Sequence, residues 1–327
     1  MPFVRVQMVN KPTVISTFAG CGGSSLGYQL AGFHELLAVE WDDNAVATFR
    51  LNFPAVPVYH GDIAKLTGDE CMKLAGVKVG ELDVFDGSPP CQGFSTAGKR
   101  KFDDPRNSLF KEYARLIDEL KPKVFVMENV TGMVKGVMKQ AYLKIIKTLR
   151  DCGYKAKGEV LNAKYFNVPQ SRQRVIIIGV RDDLGIEPTH PKPQTKPITV
   201  KDACYDLRFN EIDLPFNPET KIAKVMLNLR AGNSDPAHQS HIKVSWDKPC
   251  PTLLKDFLGY MHFWHPSIHR PLLLLEWSRL GSFPDSFIWT DKKNGCQRIG
   301  NSVPPNLMRA IAEHVKANIL DKAVLNA

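Results

Sequence analysis

From about Thr13 to Val180, short runs of β-branched and other apolar residues alternate with segments of helical period. One such segment, Asn107–Leu120, places its apolar residues at the i, i+3, i+4, i+7 spacing of an amphipathic helix. This alternation predicts an open, mostly parallel α/β sheet with helices on both faces, in which ligands bind at the carboxyl ends of the strands. The predicted strands are Thr13–Phe18, Leu36–Glu40, Val56–Tyr59, Leu82–Phe85, Val124–Glu128, Lys157–Leu161 and Val175–Val180.

The pattern changes after Arg181. A proline-rich connector, Glu187–Pro193, leads into a segment that runs to about Arg270 and has weak periodicity and many prolines. Helical spacing returns at Leu272–Leu280 and at Asn306–Leu320. We therefore predict an α/β domain over residues 1–181, a smaller irregular domain over residues 182–270, and a C-terminal segment, residues 271–327, that completes the first domain.

Charge and cysteine usage narrow the classes of partner. The formal net charge of +9 favours a polyanionic partner, and nucleic acid is favoured over a membrane surface because no amphipathic basic helix is evident. No apolar run approaches the roughly 20 residues of a membrane span, and the N-terminus lacks a signal-peptide core, so we expect a cytoplasmic protein. The seven cysteines include no Cys-x-x-Cys pair, which predicts reduced thiols and no metal site.

Polar residues follow the first three predicted strands. The first strand leads into a glycine-rich turn, Phe18–Gly23, which by itself is weak evidence for a ligand site. Glu40 follows 20 residues after Gly20, the offset at which a carboxylate accepts hydrogen bonds from ribose hydroxyls, and Trp41 offers a face for an adenine ring. Asp62 is an acceptor suited to an adenine amino group. Each acidic residue alone is better explained as a loop solvator or a helix cap, but together they predict an adenosine-type ligand.

Pro89-Pro90-Cys91-Gln92 places a cysteine after two prolines at the end of the fourth predicted strand. Two fixed φ angles leave little conformational freedom, so the thiol is presented as a nucleophile would be. A small apolar residue that closes a strand is an equally good interpretation of this tetrapeptide.

Two further motifs supply an acid and two cations. Glu128 ends an apolar strand, where a carboxylate costs free energy unless it is paired; a capping role is the alternative. Arg172 and Arg174 precede the last predicted strand, and residues two apart in an extended segment share a face. Two guanidinium groups on one side of a strand suit a phosphate or a carbonyl oxygen, with surface salt bridges as the alternative.

These motifs, followed by Gly300-Asn301-Ser302-Val303, occur in the order found in the DNA cytosine-5 methyltransferase family, which the chain resembles over nearly its whole length. The resemblance implies a Rossmann-like methyltransferase sheet, S-adenosylmethionine as cofactor and a flipped-out cytosine in double-stranded DNA as acceptor. It also implies that Gly300–Val303 returns to the glycine turn. The implied cofactor-binding residues are Phe18, Ala19, Gly20, Gly22, Gly23, Glu40, Trp41, Asp62, Ile63, Pro90, Asn301 and Ser302.

The same resemblance assigns catalytic roles. It implies that Cys91 adds to cytosine C6, that Glu128 holds a proton at N3, and that Arg174 donates to the O2 carbonyl. Arg172 joins them as a fourth catalytic residue. Residues 182–270 correspond to a target recognition domain that contains Thr252. The loop after Cys91 carries four cations that are expected to contact DNA: Lys99, Arg100, Lys101 and Arg106. Thr252 is expected to contact DNA as well.

Two alternatives remain open at this level. An RNA cytosine-5 methyltransferase would share the fold, but that branch usually carries a Cys-Phe-Thr signature that this chain lacks. A non-catalytic DNA-binding protein is expected to lose the Cys, Glu or Arg set, which is intact here. We expect a monomeric enzyme of a restriction-modification system or of orphan or phage DNA modification, with or without a cognate restriction endonuclease.

Overall fold

The structure is a computed structural model that describes residues 11–90, 108–211, 217–237, 239–255 and 259–326. A seven-stranded sheet runs through its centre. The strands in the described residues are β1 (Thr13–Thr17), β2 (His34–Glu40), β3 (Val58–His60), β4 (Val84–Gly87), β5 (Val124–Val130), β6 (Tyr154–Asn162), β7 (Gln170–Ser171), β8 (Gln173–Arg181), β9 (Ile242–Lys243), β10 (Cys250–Pro251) and β11 (Phe263–Trp264).

The large sheet has the strand order β3-β2-β1-β4-β5-β8-β6. Its first five strands pair in parallel, whereas β8 runs antiparallel to both of its neighbours, β5 and β6. The prediction of an open, mostly parallel α/β sheet is confirmed, and each predicted strand lies within an observed strand or overlaps it. Because chain order reverses between β1 and β4, the carboxyl ends of those strands flank the position where such sheets bind ligands.

Helices cover both faces of the sheet. Strand side chains alternate between them: Phe125 and Met127 pack with residues of α3, α4 and α5, whereas Val124 and Val126 pack with α1 and α10. The helices in the described residues are α1 (Gly23–Leu30), α2 (Asp43–Asn52), α3 (Gly68–Ala75), α4 (Ser108–Leu120), α5 (Lys139–Asp151), α6 (Val200–Cys204), α7 (Lys221–Asn228), α8 (Leu274–Leu280), α9 (Lys292–Asn301), α10 (Pro305–Val315) and α11 (Asp321–Asn326).

The C-terminal helices depart from prediction in two ways. The segment predicted as one helix, Asn306–Leu320, is α10 followed by a π-helical turn, Lys316–Leu320. Helix α9 was not predicted, because two of its four buried positions are Gly295 and Gly300, which add no apolar side chain to the periodic pattern. Its start is nevertheless marked in the sequence by Asp291, whose carboxylate accepts a hydrogen bond from the Asn294 N–H.

The segment predicted to be irregular contains short elements whose core is continuous with that of the α/β domain. Strand β10 pairs with β7, and β11 pairs with β9. Phe263 and Trp264 are fully buried, in a cluster that also includes Phe49 and Phe53 of α2 and its flank. Phe263 and Trp264 are therefore packing residues, as an irregular segment with few periodic elements requires. The domain boundaries at residues 181 and 270 stay predictions.

No helix in the described part of the chain combines the length and the apolar character that a bilayer span requires. Across the same residues, no group of three or more His, Cys, Asp or Glu side chains is arranged to hold a metal ion.

Candidate functional site

Two cavities open at the carboxyl ends of the strands. The first, here called the small cavity, has a volume of about 180 Å³ and lies at the ends of β1, β2 and β3. Six of the predicted cofactor-binding residues line it, and Leu109 of α4 contributes an apolar wall. Those six are Phe18, Glu40, Trp41, Asp62, Ile63 and Pro90.

The unusual backbone of the glycine turn has a different explanation at each residue. Phe18, Gly20 and Gly22 have φ angles of 53°, 57° and 97°, which is left-handed backbone that costs free energy at a non-glycine residue such as Phe18. A Cβ at Gly20 would meet nothing within 4 Å, whereas one at Gly22 would lie 2.3 Å from the Phe53 ring. Gly20 therefore leaves the backbone open to a ligand, and Gly22 is required by packing. Gly23 is also a packing glycine, since its Cβ would lie 2.5 Å from the Val303 carbonyl oxygen.

Glu40 holds this turn to the end of β2. Its Oε2 accepts a hydrogen bond from the Gly20 N–H at 2.8 Å, and its Oε1 accepts from the N–H groups of Trp41 and Asp42 at 2.9 and 3.0 Å. A carboxylate offers about four acceptor positions. Three are taken by the backbone, which leaves Oε2 able to accept from a ligand hydroxyl.

Trp41 and Asp62 complete the rim of the small cavity. Trp41 is 75% exposed, so its indole face is open to a stacking partner. Asp62 caps the 3₁₀ helix Ile63–Lys65 through the Ala64 N–H, at 3.0 Å. The interpretation of Asp62 as a cap is therefore correct, and the residue lines the cavity as well.

The second cavity, here called the large cavity, has a volume of about 390 Å³. It is lined by Glu128 and Asn129 of β5, by Arg174 of β8 and Arg172 just before it, and by Thr252 and Asn301 from the two later segments. Pro89 and Pro90 also line it. Pro90 lines both cavities, so the two adjoin at the residue that precedes Cys91 in the sequence.

Glu128 and Arg174 form an ion pair at the edge of the large cavity. The Arg174 Nε and Glu128 Oε1 atoms are 2.7 Å apart, and the side chains are 14% and 11% exposed. The antiparallel register of β5 and β8 sets Arg174 opposite Val130, which makes Glu128 its diagonal neighbour. Asn129 donates from Nδ2 to the Pro89 carbonyl at 3.0 Å and so ties the proline pair to β5. Asn129 was missed at sequence level, although its place beside Glu128 is a signal for it.

Arg172 differs from Arg174 in what it contacts. Its guanidinium is buried and donates to the carbonyl oxygens of Leu253 and Gly300, at 3.3 and 3.0 Å. Burial, followed by repulsion from Arg174, lowers the Arg172 pKa to about 9, while Glu128 opposes the shift. Arg172 therefore fastens two later segments to the sheet. Its catalytic role stays a prediction.

The C-terminal motif returns to the glycine turn, as predicted. The Cys21 Sγ lies 3.3 Å from the Ser302 Oγ, and the Ser302 hydroxyl donates to the Arg298 carbonyl at 2.7 Å. Burial raises the pKa of the Cys21 thiol to about 11, which disfavours the thiolate that a nucleophile requires. Asn301 lines the large cavity rather than the small one.

The remaining predicted site residues have different outcomes. Thr252 lines the large cavity, but its hydroxyl donates to the Ser171 carbonyl at 2.9 Å and so bonds within the protein. Lys255 also lines that cavity and was not predicted as a site residue, although the sequence shows a cation three residues after the predicted Thr252. The other predicted residues lie outside the described part of the chain: Cys91, Lys99, Arg100, Lys101 and Arg106.

Comparison with known proteins gives a consistent result. A sequence model of the family described as C-5 cytosine-specific DNA methylase matches residues 12–317. The chain is 38% identical to the type II methyltransferase M1.HphI of Haemophilus parahaemolyticus, over 93% of this chain and 86% of that protein. It is 33% identical to the type II methyltransferase M.NgoPII of Neisseria gonorrhoeae, over 95% of this chain and 97% of that protein.

Solved structures share the fold. A prophage-encoded DNA modification methyltransferase from E. coli superimposes with a TM-score of 0.78 at 26% identity, covering 95% of this chain and 100% of the other. A DNMT2 structure from Spodoptera frugiperda gives a TM-score of 0.66 at 18% identity, over 94% of this chain and 99% of that chain. At the lower identity the likeness shows the fold alone.

Proposed function

Because this chain belongs to the C-5 cytosine-specific DNA methylase family, a family of DNA (cytosine-5-)-methyltransferases, we propose methyl transfer from S-adenosylmethionine to C5 of a flipped-out cytosine in double-stranded DNA. One observation carries this proposal beyond family membership. The two cavities adjoin at Pro90, and the residue that follows Pro90 in the sequence is Cys91. A donor and an acceptor bound in adjoining cavities, next to a nucleophile, have the arrangement that a two-substrate group transfer requires.

The small cavity fits the adenosine part of S-adenosylmethionine. Glu40 keeps acceptor capacity for a ribose hydroxyl, Trp41 offers an exposed ring face, and the backbone at Gly20 is open. When bound, S-adenosylmethionine supplies a methyl group on a sulfonium, which accepts the electron pair of cytosine C5. The protein's part is to hold that methyl group towards the large cavity and to exclude water from it.

In the large cavity, the cytosine ring requires activation because C5 is a poor nucleophile. We assign this to Cys91, whose thiolate adds to C6 and so converts the ring to an enamine-like nucleophile. An ordinary thiol is only a few per cent ionised near neutral pH, so nearby cations and backbone N–H groups assist it. Arg172 supplies a cation to the same cavity.

Glu128 and Arg174 act on the opposite edge of the ring. As sulfur adds to C6, negative charge develops towards N3 and O2, which lie on neighbouring positions of the cytosine ring. The Glu128 carboxylate, once protonated from solvent, holds that proton at N3 and takes it back when the adduct collapses, and the Arg174 guanidinium donates to O2. Two groups 2.7 Å apart match two neighbouring acceptor positions, which supports this division of roles. After transfer, loss of the C5 proton to a base or water returns the electron pair to the ring and expels Cys91 as thiolate.

The acceptor is taken to be DNA for two reasons. The curated relatives at 38% and 33% identity are named type II methyltransferases, whereas the DNMT2 likeness concerns the fold alone. The charge of +9 suits a polyanion, and we assign phosphate contacts to Lys99, Arg100, Lys101 and Arg106, with target recognition in residues 182–270. The RNA alternative is not favoured.

The proposal is tested by supplying methyl-tritiated S-adenosylmethionine with either unmethylated plasmid DNA or tRNA. We expect label in the DNA and none in the tRNA, and conversion sequencing of the plasmid then maps the methylated cytosines and their sequence context. Cys91→Ala should abolish transfer, and Cys152→Ala, a partly exposed thiol away from both cavities, should not. Label in tRNA alone, or full activity in Cys91→Ala, refutes the proposal.

The covalent step has its own test. In a duplex that carries 5-fluorocytosine at the mapped position, fluorine cannot leave C5 as a proton does, so the Cys91 adduct should persist as a denaturant-resistant protein–DNA band. Its absence in the presence of cofactor removes the covalent step.

A further inference from the structure

A closed chain of contacts joins the glycine turn, the end of β2 and helix α9. On one side, Asp42 follows Glu40 by two residues, and its Oδ2 lies 3.1 Å from the Arg298 Nη2. On the other side, the Arg298 carbonyl accepts from the Ser302 hydroxyl, which contacts Cys21. The loop is closed because Glu40 accepts hydrogen bonds from the backbone of both Gly20 and Asp42.

The same helix reaches the large cavity. The last two residues of α9, Gly300 and Asn301, line that cavity, and the Gly300 carbonyl accepts from Arg172. A Cβ on Gly300 would lie 2.3 Å from the Leu254 carbonyl oxygen, so the end of α9 is packed against the Thr252–Lys255 segment without spare room. A shift of α9 by a fraction of an ångström would therefore change its contacts with the glycine turn and with the Thr252–Lys255 segment.

Arg298 is the residue through which these contacts pass. Its side chain is 11% exposed and reaches from α9 to Asp42, which caps α2 through the Ala45 N–H at 2.9 Å. Asp42 and Arg298 are 256 positions apart in sequence, so the ion pair joins the glycine-turn end of the sheet to the C-terminal helices. The side chain is fixed by this ion pair through Nη2, while its Nε is buried without a hydrogen-bond partner.

We propose that Arg298 is a positioning residue that couples the two cavities, so that occupation of one favours occupation of the other. This inference rests on the proposed function, in which the cofactor enters the small cavity and the cytosine enters the large one. Cofactor binding fixes Glu40 and therefore Asp42; through Arg298 this fixes the end of α9, where the flipped base is held. The coupling is reciprocal, because it is a difference in binding free energy.

The test measures binding of S-adenosylhomocysteine by calorimetry, with and without a duplex that carries the mapped target sequence. For the wild type we expect the duplex to tighten binding about 10-fold, within the usual range of such couplings. In Arg298→Met, which keeps the apolar stem but loses the charge, the tightening should fall to about 2-fold or less. Arg298→Lys should recover part of it, and Arg309→Met, which removes a surface arginine paired with Glu313, should leave it unchanged.

A merely structural role is separated from positioning by a second variant and a second readout. Asp42→Asn keeps a good helix cap but removes the charge that faces Arg298, so it should lose coupling while its melting temperature stays near that of the wild type. The KM for S-adenosylmethionine should rise in both variants by more than kcat falls. The inference is overturned if Arg298→Met or Asp42→Asn shows the same coupling as the wild type, or if the wild type shows no coupling. In either case, methylation of DNA by the wild type still upholds the proposed function. Failure of the wild type to methylate DNA removes both.

Discussion

Replacement of Arg174 by methionine tests whether the ion pair in the large cavity serves both stability and catalysis. Arg174 is the cation 2.7 Å from Glu128, and both side chains are mostly buried. Methionine keeps much of the apolar stem of arginine but leaves the Glu128 carboxylate without this partner. Glu128→Gln is the matched variant, because it keeps the shape and an acceptor oxygen while removing the group that would carry a proton.

The expected stability change follows from the separation of the charges. At 2.7 Å and an effective dielectric constant of about 20, the attraction is roughly 6 kcal/mol, and desolvation of the two ions offsets much of it. Removing one partner of a fully buried pair costs about 3–5 kcal/mol. Because 11–14% of each side chain remains exposed, water screens part of this cost, and we expect Arg174→Met to lose about 2–3 kcal/mol of unfolding free energy. Glu128→Gln should lose about 1 kcal/mol.

Activity should respond differently. Loss of a donor aimed at developing charge typically lowers kcat by about 100- to 1,000-fold, and we expect both variants to fall in that range. Urea unfolding followed by circular dichroism gives the stability, and tritium transfer to the mapped duplex at saturating cofactor gives kcat. The informative result is a large activity loss in Glu128→Gln at a small stability loss.

Two results would contradict this reasoning. Transfer by Glu128→Gln at the wild-type rate would show that a proton held by residue 128 is not needed. An Arg174→Met variant as stable as the wild type would show that the unpaired carboxylate is hydrated at no cost, so that the cavity is wetter than the burial of its side chains indicates.

Three further predictions concern the scaffold around the site. Gly27→Ala places a Cβ 2.6–2.9 Å from atoms of α10 and should lower the free energy of urea unfolding by about 1–3 kcal/mol, whereas Gly132→Ala, whose added Cβ meets nothing within 4 Å, should change it by less than about 0.5 kcal/mol. Burial raises the pKa of Glu35 from 4.5 to about 7; the folded state then binds more protons between those values, so stability falls as pH rises from about 4.5 to 7, and Glu35→Gln should flatten that part of the stability curve. Arg270→Met leaves Glu276, which is 1% exposed, without its bidentate partner and should cost about 3–5 kcal/mol in the same unfolding assay, while Arg309→Met at the surface should cost under about 1 kcal/mol.

The central strands were readable from the sequence because their residues are buried on both faces of the sheet. Runs such as Val124–Met127 are apolar at every position, so their register does not have to be known for the strand to be recognised. The direction of β8 could not be read in the same way. A fully buried strand has the same composition whether it runs parallel or antiparallel to β5, and only its connections and pairing decide.

Site residues could be predicted from the sequence where they end an apolar run, as Glu40 and Glu128 do. They could not be predicted where tertiary neighbours divide the roles of similar residues. Arg172 and Arg174 are two residues apart, yet one bonds to the carbonyls of Leu253 and Gly300 and the other to Glu128. The pairing of Asp42 with Arg298 depends on how distant helices pack, for which a single sequence carries no local signal.

The position of Pro90 at the border of the two cavities has a consequence for how such a protein diversifies. In the proposed function, donor-facing side chains come from the ends of β1 to β3, and acceptor-facing ones from β5, β8 and the later segments. On that assignment, mutations that alter the preferred nucleotide context can accumulate around the large cavity while the small cavity keeps its ligand. The same fold can in this way acquire new sequence preferences while its donor site stays unchanged.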